Sequence, residues 1–195
     1  MTQAITQTKG LTFEQYLLLP YNGQRTEFVD GEIIGVTEPS PRHVNIVEDL
    51  SDLLKAYIRN HSPHLMVRSA NVGVQIPRTD RSDNSRDPDL LICTREQWAA
   101  MSNQTKALFL AGNPPLLTIE VVSPSTIKKD TEDLVTEYGL AGISEYWVVN
   151  PIDETVSVYV LNGRAHTLKG KYSDEQPVES ELLKHWNATA AEMLC

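Results

Sequence analysis

The sequence predicts one domain of the α/β (α+β) class, a mixed β-sheet flanked by helices with a β-hairpin towards each end. Short apolar runs rich in β-branched residues alternate with amphipathic segments, which is the pattern of a fold built from both strands and helices. Two dipeptides that favour tight turns, Asp30-Gly31 and Asn162-Gly163, each join two extended runs. The length of 195 residues, 41% of them hydrophobic, suits a single core. We expect this domain to span residues 11–195, after a flexible terminus at residues 1–10.

The first elements are predicted as a helix, a hairpin and a second helix. Apolar side chains recur at helical spacing through residues 11–19. Residues 25–36 contain two extended runs around an Asp-Gly turn, the strongest short hairpin signal in the chain. Ser40 followed by Pro41 is typical of a helix start, and apolar residues at intervals of three or four predict a helix to about Asn60.

The remaining elements follow from apolar runs and their boundaries. We expect extended segments at 65–68 and 72–76, central strands at 88–93 and 114–124, helices at 95–110 and 127–140, a strand at 145–151, and a closing hairpin that pairs 155–160 with 164–168. In the helix at 127–140, the spacing predicts that Ile127 and Leu134 face the core.

The charge balance excludes a general nucleic-acid coat protein. The chain has 26 acidic and 17 basic residues, a formal net charge of −9. A protein that acts on nucleic acid could still use a local basic rim. Three arginines, at positions 78, 81 and 86, lie between predicted strands, but aspartates 80, 83 and 87 alternate with them. We interpret this segment as a solvated loop, with a phosphate-contacting loop as the alternative.

Cysteine content and hydropathy bear on the compartment. The chain has two cysteines, Cys93 in a predicted strand and Cys195 at the end, which provide neither a disulfide framework nor a zinc site. We see no run of about 18 apolar residues and no leader pattern. We therefore expect a cytoplasmic protein that is not inserted in a membrane.

Two acids in predicted core strands suggest a site. Asp89 and Glu120 each interrupt an apolar run, and a buried acid normally needs a cation beside it. If the two strands pair, their backbones lie about 4.8 Å apart and both carboxylates can approach one ion. Oxygen ligands of this kind suit Mg²⁺ or Mn²⁺. In the alternative interpretation, Asp89 caps a loop and Glu120 lies at an exposed strand end.

Three other polar residues have two interpretations each. Glu27 lies in the first hairpin, either in the site or pointing outward from an edge strand. His43 begins the apolar stripe of its helix and points inward, as a site residue or as a satisfied core or capping histidine. Asp130, one turn inside its helix, is a favourable dipole partner or part of the site.

The order of elements resembles the PD-(D/E)XK nuclease superfamily and, more closely, the Uma-type "putative restriction endonuclease" family. The match covers roughly residues 11–168. The residues that support it are Glu27-Phe28-Val29-Asp30-Gly31-Glu32, Ser40-Pro41 with His43, Pro88-Asp89-Leu90, Glu120-Val121-Val122-Ser123-Pro124-Ser125-Thr126, Asp130, Tyr138, Ala141-Gly142-Ile143 and Glu145-Tyr146-Trp147.

The resemblance implies Mg²⁺-dependent hydrolysis of DNA. Asp89 and Glu120 would hold the metal, with the backbone carbonyl of Val121 as a third ligand. Glu27 and His43 match family positions that form the wall of the same cleft. A lysine normally completes such a site by orienting the attacking water and offsetting negative charge.

The chain departs from the family at this lysine. Val122 stands two residues after Glu120, and Leu134 stands four residues after the helix aspartate, at the two positions where a lysine is usual. Lys129, next to Asp130, is our preferred substitute over Lys128, and the alternative is that both are solvated surface lysines.

Two functions therefore remain open from the sequence. The first is a metal-dependent endonuclease that acts on DNA. The second is a catalytically impaired nuclease-fold module for nucleic-acid binding or protein interaction. We expect a homodimer, and for the second function we expect the hairpins to form its interface.

Overall fold

The computed structural model describes residues 9–20, 23–69 and 71–195. Of the terminus predicted to be flexible, residues 1–8 lie outside the described residues. The elements in chain order are α1 (Phe13–Leu18), β1 (Thr26–Val29), β2 (Glu32–Gly35), α2 (Pro41–His61), β3 (Leu65–Ser69), β4 (Gly73–Ile76), β5 (Asn84–Arg86), β6 (Leu90–Thr94), α3 (Arg95–Ala100), β7 (Leu108–Phe109), β8 (Leu117–Val121), a π-helical turn called here the π turn (Lys129–Asp133), α4 (Leu134–Ala141), β9 (Glu145–Asn150), β10 (Thr155–Asn162), β11 (Ala165–Ser173) and α5 (Ala190–Met193).

The strands form two mixed sheets, in agreement with the predicted class. One sheet has the order β2-β1-β5-β4-β7 and the other the order β11-β10-β9-β8-β6-β3. Each contains one parallel pair, β4 with β7 and β8 with β9, and its other pairs are antiparallel. One face of the six-stranded sheet packs with α2 and α5, and its other face shares a core with α4 and β4.

The central strands are apolar along their whole length because both of their faces are covered. In β6, Leu90 and Ile92 pack on the side of α2, whereas Leu91 and Cys93 pack on the side of α4. The same alternation in β8 sends its odd-numbered side chains towards α2. The side chain of Glu120 therefore faces α4.

Both hairpins have the backbone that their turn residues favour. Asp30 and Gly31 have φ angles of 50° and 82°, the left-handed values that a two-residue hairpin turn requires. In the closing hairpin, Asn162 pairs with Ala165, so the turn residues are Gly163 and Arg164 rather than the predicted Asn162 and Gly163, and Gly163 has a φ of 65°.

The helix predicted at 95–110 is too long. Thr94 caps α3 through a capping box, but the helix ends at Ala100. A turn-rich polar stretch at 102–105 follows, and its residues are weak helix formers. Leu108 and Phe109 instead form β7, which pairs with β4 and buries both side chains.

The helix predicted at 127–140 contains the π turn, and this alters its phase. A π turn places one extra residue in the helix, so residues before it rotate relative to those after it. Leu134 is fully buried as predicted, but Ile127 is 44% exposed rather than part of the core.

The interpretation of residues 78–86 as a solvated loop is wrong at its end. Asn84, Ser85 and Arg86 form β5, which lies between β1 and β4, and all three residues are buried. Arg81 keeps an exposed side chain, as expected for the loop.

No helix of the described residues has both the length and the apolar character needed to cross a lipid bilayer.

Candidate active site

The two predicted acids lie on neighbouring strands. β6 and β8 pair antiparallel, with Leu90 opposite Ile119, which brings Asp89 beside Glu120. Asp89 Oδ2 accepts a hydrogen bond of 2.9 Å from the backbone N–H of Val121. Both carboxylates are buried, and Glu120 is only 4% exposed, so the alternative of an exposed strand end does not apply.

Arg25 and His43 both contact Asp89. Both terminal nitrogens of Arg25 lie 3.1 Å from Oδ1, and Nε2 of His43 lies 3.4 Å from Oδ2. Burial alone would raise the pKa of Asp89, but His43, Arg25 and the Val121 amide together hold it below its usual value. Asp89 is therefore an anion at neutral pH.

Ser40 places His43 in this contact. Its hydroxyl accepts from the His43 amide and caps α2, so the imidazole projects from the first helical turn. The ring is mostly buried and points inward, as predicted, and Nδ1 has no hydrogen-bond partner among the described residues.

Glu120 has the opposite electrostatic environment. Burial and the neighbouring carboxylates of Asp89 and Asp130 raise its pKa well above the usual value. The hydroxyl of Tyr138, which projects from α4, donates a 2.6 Å hydrogen bond to Oε1. Tyr138 contacts Oε1, which leaves Oε2 as the oxygen that could bind a ligand.

Glu27 lies in the same cluster and not on an edge strand. β1 has neighbours on both sides, β2 and β5, and the Glu27 side chain is buried. Its Oε2 accepts from Arg86 at 2.8 Å, and its Oε1 lies 3.3 Å from Lys129 Nζ. The outward-facing alternative is therefore wrong.

The structure separates the two candidate lysines. Lys128 is 70% exposed and pairs with Asp133 on the surface. Lys129 is 29% exposed and reaches Glu27, and its Nζ lies 3.9 Å from Asp130 Oδ1. Burial opposes the charge of Lys129, but the carboxylates of Glu120, Glu27 and Asp130 outweigh it and raise its pKa. The amine is therefore a cation at neutral pH.

Neither of the usual lysine positions supplies a cation to this cluster. Val122 and Leu134 are both buried in the core beside α4. The two positions where the family has a lysine are therefore occupied by core side chains. Lys129 is the lysine that contacts Glu27 and Asp130.

Asp130 is a fourth acid in this region. It is 2% exposed, and its Oδ1 has no hydrogen-bond partner among the described residues. Burial, with the charges of Asp89 and Glu27, raises its pKa to about 6 against the attraction of Lys129. The structure supports the second of its two interpretations, an acid directed into the site region.

Sequence reasoning missed the cations that hold these acids. Arg25 bridges Asp87 and Asp89, with Nε 2.8 Å from Asp87 Oδ2. Arg86 links Glu27 to Glu137 of α4, with Nε 2.5 Å from Glu137 Oε2. In the sequence, the arginine position next to an extended run was the one available indication of these contacts. The partner carboxylates are too distant in sequence for residue spacing to identify them.

The donor set suits a hard divalent cation. Asp89 and Glu120 bring carboxylate oxygens together on paired strands, and such oxygens are the ligands that Mg²⁺ and Mn²⁺ prefer. No group of three or more His, Cys, Asp and Glu side chains in the described part of the chain is arranged to hold a metal. The groups that could hold such a cation are these two carboxylates and the backbone carbonyl of Val121.

The fold and the buried acids define a protein of the restriction-endonuclease-like class. The chain belongs to the Uma2 family, described as "Putative restriction endonuclease", whose model matches residues 13–191. A crystal structure of "a putative nuclease belonging to DUF820" from Anabaena variabilis ATCC 29413 is similar in fold, with a TM-score of 0.75 at 17% identity, over 95% of this chain and 98% of that one. No curated protein matches the chain.

Proposed function

We propose that this protein is a metal-dependent endonuclease that hydrolyses phosphodiester bonds of DNA, with Asp89 and Glu120 holding Mg²⁺ or Mn²⁺. The main observation in favour is the electrostatics of Glu120, whose pKa is raised because it is buried beside other carboxylates. A divalent cation at this position would relieve that repulsion. Family membership supports the same class of reaction.

The proposed ligands are Oε2 of Glu120, a carboxylate oxygen of Asp89 and the carbonyl of Val121. A bound divalent cation supplies polarisation of the phosphate and a lowered pKa for the attacking water. Tyr138 fixes the other oxygen of Glu120, and His43 and Arg25 fix Asp89, so the two carboxylates are oriented before the cation binds.

We assign Lys129 the role of the family's lysine. Because its amine is cationic at neutral pH, it acts as a donor to the water or the phosphate and offsets developing negative charge, not as a base. Glu27 holds the amine in place, and Arg86 holds Glu27 in turn. Glu27 and Arg86 thus position the amine of Lys129.

The test is nicking of supercoiled plasmid with Mg²⁺ or Mn²⁺, together with calorimetric titration of Mn²⁺. We expect Glu120→Gln to lose both cleavage and tight Mn²⁺ binding. Lys129→Ala should lower the rate by about 10²–10³-fold and keep Mn²⁺ binding, because it removes one charge-stabilising donor. Lys128→Ala is the matched control, since that lysine is exposed and should leave the rate unchanged.

The outcomes separate the two candidate functions. A wild-type protein that binds Mn²⁺ but cleaves neither plasmid nor single strands would favour the impaired module, for which the apolar Val122 and Leu134 are the supporting observation. Equal losses in Lys128→Ala and Lys129→Ala would contradict the role given to Lys129. The homodimer and the cytoplasmic location stay predictions.

A further inference from the structure

The π turn changes which residue lies one turn before Leu134. In an α-helix, the amide of Leu134 would donate to the carbonyl of Asp130, four residues earlier. In this structure it donates to the carbonyl of Lys129, five residues earlier. Lys129 therefore occupies the place relative to Leu134 that Asp130 would have in a regular helix.

The position that Lys129 takes relative to Leu134 directs its side chain towards Glu27 and Glu120. Leu134 and Tyr138 lie one turn apart on the buried face of α4, and Tyr138 donates from that face to Glu120. By taking the preceding position, Lys129 comes within 3.3 Å of Glu27. The π turn thus lets residue 129 replace a lysine that the family places at 134.

The same turn leaves the Asp130 carbonyl without its α-helical partner. An unpaired buried carbonyl is costly, and Tyr146 of β9 satisfies it with a 2.8 Å hydrogen bond from its hydroxyl. Tyr146 is fully buried, and its ring meets the Tyr138 ring edge-on at 5.0 Å. Burial and nearby acids raise the pKa of Tyr146 well above its usual value, so the hydroxyl remains a donor.

We propose that Tyr146 is a positioning residue whose hydroxyl holds the π turn and thereby keeps Lys129 beside Glu27. The inference rests on the proposed function for the role of Lys129, but the placement of the amine is independent of turnover. Without this hydrogen bond, the helix gains by pairing the Asp130 carbonyl with the Leu134 amide. Leu134 and Tyr138 are anchored in the core, so the residues before Leu134, Lys129 among them, would rotate about the helix axis. A shift of one residue corresponds to a rotation of about 100°.

The first experiment compares Tyr146→Phe with Tyr159→Phe. Tyr159 is a matched control, because its ring stacks on Tyr146 at 6.0 Å, whereas the hydroxyl that donates to the Asp130 carbonyl is that of Tyr146. The readout is the NMR signal of Lys129 in protein whose lysines have been ¹³C-methylated, assigned by its absence in Lys129→Arg. We expect this signal to move in Tyr146→Phe and to stay in place in Tyr159→Phe, with nicking lowered about 10²-fold only in the former.

A deletion provides a second, independent test. Glu132 is an exposed residue within the π turn, and its deletion places Lys129 four residues before Leu134. A regular α-helix then keeps Lys129 in position and pairs the Asp130 carbonyl with a backbone amide. In this background we expect the Lys129 signal to resemble wild type and Tyr146→Phe to have no effect on it.

Either of two results would overturn the inference. One is a folded Tyr146→Phe protein with an unmoved Lys129 signal. The other is that Tyr146→Phe changes the Lys129 signal equally in the full-length chain and in the Glu132 deletion. Failure of Tyr146→Phe to fold in both backgrounds counts as the same result. If the signal moves as expected but wild-type protein does not nick DNA, the proposed function fails and the positioning role of Tyr146 stands.

Discussion

Asp130→Asn should stabilise the metal-free protein at neutral pH. The pKa of Asp130 rises from 3.8 to about 6 on folding, chiefly because the carboxyl group is buried. The two values differ by about 2, and one pKa unit corresponds to about 1.36 kcal/mol, so the ionised side chain lowers the free energy of unfolding by about 3 kcal/mol.

The sign follows from proton binding. For an acid with a raised pKa, the folded state binds the proton more tightly than the unfolded state. The cost of ionised Asp130 is therefore absent below about pH 3.8, grows as the pH rises, and is complete above about pH 6. Asparagine has nearly the same shape and no charge, so it removes this cost.

Thermal unfolding in EDTA at pH 7.5 and at pH 4 is the measurement. At pH 7.5, about 3 kcal/mol corresponds to a rise of about 6–12 °C for a chain of this size, with little change at pH 4. Asp133→Asn is the control, because it lies in the same π turn but is exposed and pairs with Lys128. An unchanged or lower unfolding temperature for Asp130→Asn at pH 7.5, or the same rise at both pH values, would refute the reasoning.

Three further substitutions test the packing around the site. Arg86→Leu should cost about 3–5 kcal/mol in urea denaturation, because it removes the guanidinium that two buried carboxylates share, whereas Arg81→Leu on the exposed loop should cost less than about 1 kcal/mol. Gly142→Ala should cost about 1 kcal/mol, since Gly142 ends α4 with a φ of 82°; an unchanged unfolding temperature would contradict this. Leu134→Lys should lower the unfolding temperature, because it puts an amine at a fully buried position of the core; faster nicking by this variant would count against Lys129.

The parts of the fold set by local sequence were predictable. Asp30-Gly31 determines the first hairpin because a tight turn needs left-handed φ values, and Ser40-Pro41 marks the start of α2 because a hydroxyl caps it. The central position of β6 and β8 also followed from their apolar runs, since strands covered on both faces are apolar throughout, whereas their pairing was only a condition of the sequence argument.

The parts that depend on distant contacts were not predictable. Arg86 is buried only because Glu27 and Glu137, 59 and 51 residues away in sequence, surround its guanidinium. From residue spacing alone, Arg86 was interpreted as part of a neutral, solvated loop. The burial of Glu27 has the same origin, since it requires that β5 cover β1.

The π turn was invisible for a different reason. Hydrophobic periodicity assumes 3.6 residues per turn, and one extra residue shifts the phase without changing composition. The same phase shift explains two outcomes. Ile127 is exposed although the spacing predicted a core position, and Lys129, which could have been a solvated surface lysine, contacts Glu27.

The net charge of −9 is compatible with a DNA substrate because of how charges are arranged at the site. Arg25, Arg86 and Lys129 each contact a carboxylate, so these cations are largely neutralised by the protein itself. A phosphate entering the cleft would therefore meet little excess positive charge. In the proposed mechanism the divalent cation must supply that charge, so the metal determines substrate binding as well as hydrolysis. A protein of this composition can then avoid general nucleic-acid binding and still act on DNA at one metal-loaded position.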